Sequence, residues 1–147
     1  MCDNVTNATN IGSLFRIADA FGIERIIFCG EHISLGRKMT KASRTTEKVM
    51  SFTVSNVILD EVKQLKVDGY FILSLEITNK SMPIHTFQFS KEKPIALIVG
   101  DENFGVSEAV LKLSDKVIHI NMFGQNSSMN VVQATNIALY EITKQII

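Results

Sequence analysis

Pro94-Ile-Ala-Leu-Ile-Val-Gly100 is an apolar run that stops at a glycine, and Asp101-Glu-Asn-Phe-Gly105 follows it. Downstream the pattern recurs. Val117-Ile-His-Ile-Asn-Met-Phe-Gly124 runs into Gln125-Asn-Ser-Ser-Met-Asn130, and an apolar helical pattern over Met129 to Ile147 closes the chain. Short apolar runs bounded by glycine read as buried strands. Each one here ends in a polar loop that leads into a helix. In an open α/β sheet, ligands bind beyond the carboxyl ends of the strands. Two candidate ligand loops therefore lie late in the chain.

The upstream sequence repeats the alternation. Met1 to Val5 reads as the tail of a strand. Asn10 stands where a helix N-cap is expected, ahead of Ile11, Leu14, Phe15 and Ala18 at helical spacing. Gly22 is placed to end that helix. Arg25 to Cys29 predicts a strand, Gly36 to Lys48 a polar, basic segment, and Val49 to Val54 another strand. Val57, Ile58, Val62 and Leu65 mark an amphipathic helix that Asp68-Gly69 stops. Tyr70 to Leu75 predicts a strand that runs into a polar loop from Glu76 to Met82, and Pro83 to Ser90 reads as irregular. Ile95 to Val99 has the strongest signature of a buried strand. Ser107 is placed to cap a helix carrying Val110, Leu111 and Leu113 inward, and Val117 to Ile120 predicts the last strand. The expectation is a single domain over residues 1–147, α/β in class, with a mainly parallel sheet covered by helices on both faces.

The totals narrow the function. The chain has 147 residues, 46% of them hydrophobic, and a formal net charge of zero. It is long enough to bury a core. No apolar run approaches the ~18 residues a membrane helix needs. The charge balance argues against a generally basic nucleic-acid binder but leaves room for a local basic patch. Cys2 and Cys29 fit reduced thiols in a cytosol better than a disulfide framework, so a cytoplasmic location is expected.

Most familiar chemistries fail on particular residues. Gly100 to Ser107 approaches the phosphate-loop pattern, but Val106 stands where the lysine belongs. No dinucleotide fingerprint follows a strand. Cys29 and His32 have the spacing of two metal ligands without a second pair. His85 and His119 are isolated, and no serine sits in a nucleophile elbow. What remains is polar and placed at strand ends. Gly100 and Gly105 bracket Glu102. Ser127, Ser128 and Asn130 lie in an amide-rich run ahead of the last helix, where plain N-capping would account for one serine. Arg16 interrupts the apolar segment Ser13-Leu-Phe-Arg-Ile-Ala18.

Three stretches together resemble the SpoU (TrmH-like) family of SPOUT RNA methyltransferases. They are Asn10 to Gly22, Leu97 to Val106, and Ile118 to Met122 with Ser128-Met-Asn130 and the helix carrying Ala134. The likeness covers nearly the whole chain. It implies a C-terminal trefoil knot, a homodimer, and methyl transfer from S-adenosylmethionine to a ribose 2′-hydroxyl of tRNA or rRNA. Such a transfer needs no metal, and the sequence presents no metal-ligand set. By the same resemblance Arg16 matches the catalytic arginine. Asn10, Glu102, Ser128 and Asn130 match the polar residues that orient substrate. Leu75, Glu76, Gly100, Ile120, Met122, Ser128 and Met129 are expected to hold the cofactor. Arg37, Lys38, Lys41 and Arg44, with Lys48, form a basic run expected to meet the RNA backbone. Three features depart from the pattern. Asn121 replaces a usual proline, and Val132 replaces a small polar residue. Family members also carry several apolar residues ahead of the positions of Asp3 and Asn4, which places Met1 inside the first strand. A catalytically silent RNA-binding member of the fold and a small-molecule-binding domain are the alternatives. Intact Arg16, Glu102 and Asn130 speak against the first, and the basic run against the second.

Overall fold

The β-branched and apolar run Arg25–Cys29 forms a strand (β2) whose side chains alternate between two cores. Ile26 and Phe28 face one, Ile27 and Cys29 the other. The computed structural model describes residues 1–147. Its other strands are β1 (Cys2–Asp3), β3 (Ser51–Ser55), β4 (Phe71–Leu75), β5 (Met82–Pro83), β6 (Ile95–Gly100) and β7 (Lys116–His119). The helices are α1 (Ala8–Ala20), α2 (Arg37–Ser43), α3 (Ile58–Val67), α4 (Glu108–Leu113) and α5 (Val131–Ile146). The strands form one sheet in the order β3-β2-β1-β6-β4-β7-β5, and every pairing in it is parallel.

Both faces are covered, as parallel sheets require. On one face α1 and α2 place Ile11, Leu14, Phe15, Ala18 and Met39 over Cys2, Ile26, Phe28 and Val99, with Val131 of α5 joining them. Phe15 lies 5.3 Å from Phe28 and 5.0 Å from Phe52, centroid to centroid. Farther along that face Ala138 and Ile142 of α5 cover Leu73 and Ile118. On the opposite face Val62, Leu65 and Val110 from α3 and α4 cover Ile27, Ile72 and Ile98. A half-buried clamp fixes that side, where Asp115 accepts from Lys66 at 2.7 Å and from the Ile72 amide at 2.8 Å. No helix is long and apolar enough to cross a membrane.

Several expectations are corrected here. Asn7, not Asn10, caps α1; its side chain accepts from the amides of Thr9 and Asn10. Asn130 caps α5, where a serine cap was the simple expectation. Ser107 occupies the N-cap position of α4 but makes no side-chain cap bond. The basic segment is not a bare loop, since α2 runs through it. Met82–Pro83, read as loop, pairs with β7 at the sheet edge, where a strand proline is tolerated. The β6 strand is fully buried only at Ile98 and Val99. Its first half borders a cavity of about 400 Å³, lined by Leu14, Ala18, Ile26, Leu97, Leu139 and Ile142 among others.

Cys2 and Cys29 belong to different cores on opposite faces of the sheet, so they cannot bridge. Burial pushes the Cys29 thiol up to about 12, and raises Cys2 as well. The folded state therefore keeps a proton that the unfolded thiol loses near pH ~8.5. Stability is intact below that pH and falls as pH rises toward 12, by up to about 1.4 kcal/mol per pH unit for each thiol. Denaturant titrations from pH 8 to 11 should show a shallower decline for Cys29→Ala than for the parent. Equal slopes would count against a buried, protonated thiol.

Candidate active site

The loop after β6 is pinned by carboxylates. Asp101 Oδ1 accepts from the amides of Asn103 and Phe104 at 2.8 and 2.6 Å, and Asp101 bridges to Gly105 in antiparallel fashion. Glu76, at the carboxyl end of β4, accepts from the Val106 amide at 2.8 Å. Asp3, buried at the end of β1, accepts from the Ser107 amide at 2.8 Å. Gly105 has φ +66, and a Cβ there would land on the Glu76 carboxylate. A Cβ on Gly100 would land on the Gly105 carbonyl. These two glycines fold the loop back on its own strand. Gly100 and Glu76 were expected only to hold the cofactor, and Glu76 does more. Its side chain is the latch of the neighbouring loop. Asp3 and Asp101 carried no distinguishing signal beyond their position at strand ends.

Beside this loop lies a cleft of about 360 Å³ at the carboxyl ends of β4, β6 and β7. Leu75, Glu76, Gly100, Ile120, Met122, Ser128 and Met129, all expected to hold a cofactor, line it. The size suits a small organic ligand. The lining mixes backbone at strand ends with apolar side chains, which fits a flat heterocycle with a polar tail. His119 also lines the cleft, although its isolation in the sequence gave no reason to single it out. Its Nδ1 shares a hydrogen bond with Ser81 Oγ at 2.9 Å and its Nε2 one with Asn121 Oδ1 at 3.0 Å. Asn121, the departure from proline, thus ties the cleft floor to the strand before it.

The sheet order places the reversal of winding between β1 and β6. The chain leaves β1 toward β2 on one side, and leaves β6 toward β7 on the other. Across that crevice Asn10 donates to Glu102 Oε1, and Asn130 Nδ2 donates to Asn10 Oδ1 at 3.3 Å. Asn130 Oδ1 meanwhile accepts from the Val132 amide at 2.8 Å. Because Asn7 does the capping, the Asn10 side chain is free to make this contact. Three polar residues from distant parts of the chain meet at the rim of one cleft, with Ser128 lining it. Arg16 does not join them. It lies six residues beyond Asn10, about 9 Å along α1, exposed and without an ion pair.

The basic segment is mounted on α1. Gly12 lets α2 approach closely: a Cβ there would sit 2.6 Å from Ala42 Cβ. Met39 and Ser43 are buried against α1. Arg37, Lys38, Lys41, Arg44 and Lys48 are all exposed, and none forms an ion pair. Glu47 is the one acid among them. Its hydrogen bond from Ser43 lowers its carboxyl below the ordinary value.

A doubly wound sheet with a carboxyl-end cleft, a glycine-folded loop and an amide-rich helix entry defines a class. Residues 1–140 match the profile of the SpoU rRNA Methylase family, and the chain belongs to that family. Among individual relatives it is 30% identical over 146 residues to the tRNA (guanosine(18)-2'-O)-methyltransferase of Aquifex aeolicus, covering 97% of this chain and 67% of that protein. It is 26% identical over 145 residues to the Escherichia coli enzyme of the same name, covering 97% of this chain and 61% of that one. The crystal structure of the A. aeolicus TrmH/SpoU tRNA modifying enzyme superposes with a TM-score of 0.87 at 27% identity, covering 98% of this chain and 72% of that one. The SpoU methyltransferase AviRb from Streptomyces viridochromogenes, crystallised with the cofactor AdoMet, gives 0.85 at 27% identity, over 98% of this chain and 58% of the other. The chain thus spans 61–67% of the length of these two curated relatives.

Proposed function

We propose that this protein transfers a methyl group from S-adenosylmethionine to a ribose 2′-hydroxyl of tRNA or rRNA. It works in the cytoplasm as a homodimer, and the C-terminal part of the chain forms a deep trefoil knot. The observation that carries the assignment is the meeting of Asn10, Glu102 and Asn130 at the rim of a cleft lined by all seven expected cofactor residues. The return of the chain from β7 across the cleft to α5, which packs on α1 through Val131, supports the knot. The names of the relatives support the reaction and the cofactor.

S-adenosylmethionine, when bound, supplies an electrophilic methyl group on its sulfonium. The residues of the chain solve a positioning problem. Leu75, Gly100, Ile120, Met122, Ser128 and Met129 would hold the cofactor at the strand ends. Glu102 fixes Asn10, and Asn10 and Asn130 would orient the ribose hydroxyl for attack. Arg16 stays protonated. It would hold the phosphate beside the target ribose and stabilise the negative charge that develops on the 2′-oxygen, whose proton leaves to solvent water. Isothermal calorimetry with S-adenosylmethionine and with its demethylated product should show binding, and light scattering should give twice the chain mass. Mass mapping of RNA from cells with and without the protein should locate one missing 2′-O-methyl group. A monomer that binds neither ligand would overturn the assignment, and RNA binding without any transfer would favour the silent alternative.

The unpaired cations on α2 are the RNA-backbone contact. Removing one cation from a phosphate should lower the slope of log K against log salt by about 0.7–0.9. The Lys38→Ala/Lys41→Ala/Arg44→Ala triple variant should therefore bind RNA more weakly and with a flatter salt dependence, while cofactor affinity holds. An unchanged slope would place the RNA surface elsewhere.

A further inference from the structure

The segment from Ile120 to Met129 carries the chain from β7 to the entry of α5. It gives Ile120, Met122, Ser127, Ser128 and Met129 to the cleft and so forms one of its walls. Within the chain that wall is barely fastened. No backbone amide or carbonyl from Ile120 to Met129 bonds to another backbone group. Ile120 borders the core around Leu73 and Ile118. Beyond that, a single hydrogen bond reaches the wall, between Asn121 Oδ1 and His119 Nε2 at 3.0 Å. Asn121 brings no backbone restraint of its own, unlike the proline it departs from.

The other end of the ring is anchored. Ser81 Oγ donates to the Thr78 carbonyl at 2.8 Å and accepts from the Thr78 amide at 2.9 Å. Its hydroxyl hydrogen is thus committed, so His119 Nδ1 carries the hydrogen of their 2.9 Å bond. Nε2 is left for Asn121. A neutral ring accepts there from the side-chain NH2, and a charged ring donates to the oxygen; a carboxamide offers both atoms. Ser81 lies in the loop after β4, which gives Glu76 and Ile77 to the same cleft. The ring therefore bridges two cleft loops, and the protein occupies both of its nitrogens. We propose that His119 is a positioning residue for S-adenosylmethionine, fixing the Ile120 to Met129 wall to the β4 loop through Asn121 and Ser81. This role rests on the cofactor assignment and adds a residue that acts on the cofactor through the wall.

Isothermal calorimetry with S-adenosylmethionine tests it on the full chain. His119→Phe keeps the bulk of the ring and Asn121→Leu that of the amide, and neither can make the bond. Each should weaken binding about fivefold, the scale of one net hydrogen bond. The double variant should lose no more than either single one, since both remove the same bond. His119→Gln brings its terminal amide near the Nε2 position and should recover the affinity. His119→Asn reaches Ser81 but not Asn121, and should not. The imidazole nitrogen NMR spectrum reads the bond without cofactor: Asn121→Leu should shift Nε2 and leave Nδ1 in place. Additive losses in the double variant, or equal recovery in His119→Asn and His119→Gln, would overturn the positioning role. If His119→Phe does not fold, Asn121→Leu, outside every strand and helix, carries the test alone. If the parent binds S-adenosylmethionine and the variants match it, only the positioning role falls. If the parent does not bind it, the cofactor assignment falls and takes the role along.

Discussion

Gly105→Ala is expected to lower S-adenosylmethionine affinity about a hundredfold while leaving the protein folded. An alanine at φ +66 adopts a left-handed backbone at a cost of about 1–2 kcal/mol. Its Cβ also displaces the Glu76 carboxylate from the Val106 amide, a hydrogen bond to a charged acceptor worth about 1.5–3 kcal/mol. Together these amount to roughly 3 kcal/mol or more against the binding-competent loop, and apparent affinity falls with the fraction of that state. The core clusters do not include Gly105, so thermal unfolding should remain cooperative. Calorimetry on the folded variant checks the affinity. A dissociation constant within threefold of the parent's would mean that the loop does not shape the cofactor site.

Arg16→Ala should reduce methyl transfer by at least about a hundredfold, the scale of removing one positioned charge-stabilising group. Cofactor binding should be unaffected, because Arg16 lies about 9 Å along α1 from Asn10 and outside the cleft lining. Arg16→Lys keeps the charge but loses the planar fork, so it should recover only part of the rate. Single-turnover kinetics at saturating cofactor separate this from weaker binding. Near-normal turnover in the alanine variant would shift the charge-stabilising role to another residue.

Much of the fold could be read from the sequence because long apolar runs leave few options. β2 has the predicted ends, and β4 and β6 begin and end within a residue of the expected bounds. Short elements escaped. α2 has seven residues, of which only Met39 and Ser43 are buried, too few to show a helical period. β5 has two residues and owes its existence to β7, not to local preference. The choice between Asn7 and Asn10 as the cap was also hidden. Both are good capping residues, and what separates them is a glutamate 92 residues beyond Asn10. The site was legible through the family resemblance. Asn10, Glu102 and Asn130 match its polar motif residues, whereas local pattern alone read Asn10 as a helix cap. The latch formed by Glu76 and Asp3 was not legible, because a carboxylate that binds a distant amide looks the same in sequence as one in water.

The close seat of α2 on α1 has a mechanical consequence. With no side chain at Gly12 the two helices meet so tightly that a Cβ would overlap the Met39 carbonyl oxygen and lie 2.6 Å from Ala42 Cβ. Met39 and Ser43 are buried at that seam. Packing this dense transmits a displacement instead of absorbing it. α1 carries Asn10 and Arg16, and α2 carries Lys38 and Lys41. The two helices therefore act as one lever, and a pull on the cations of α2 is felt where Asn10 meets Glu102.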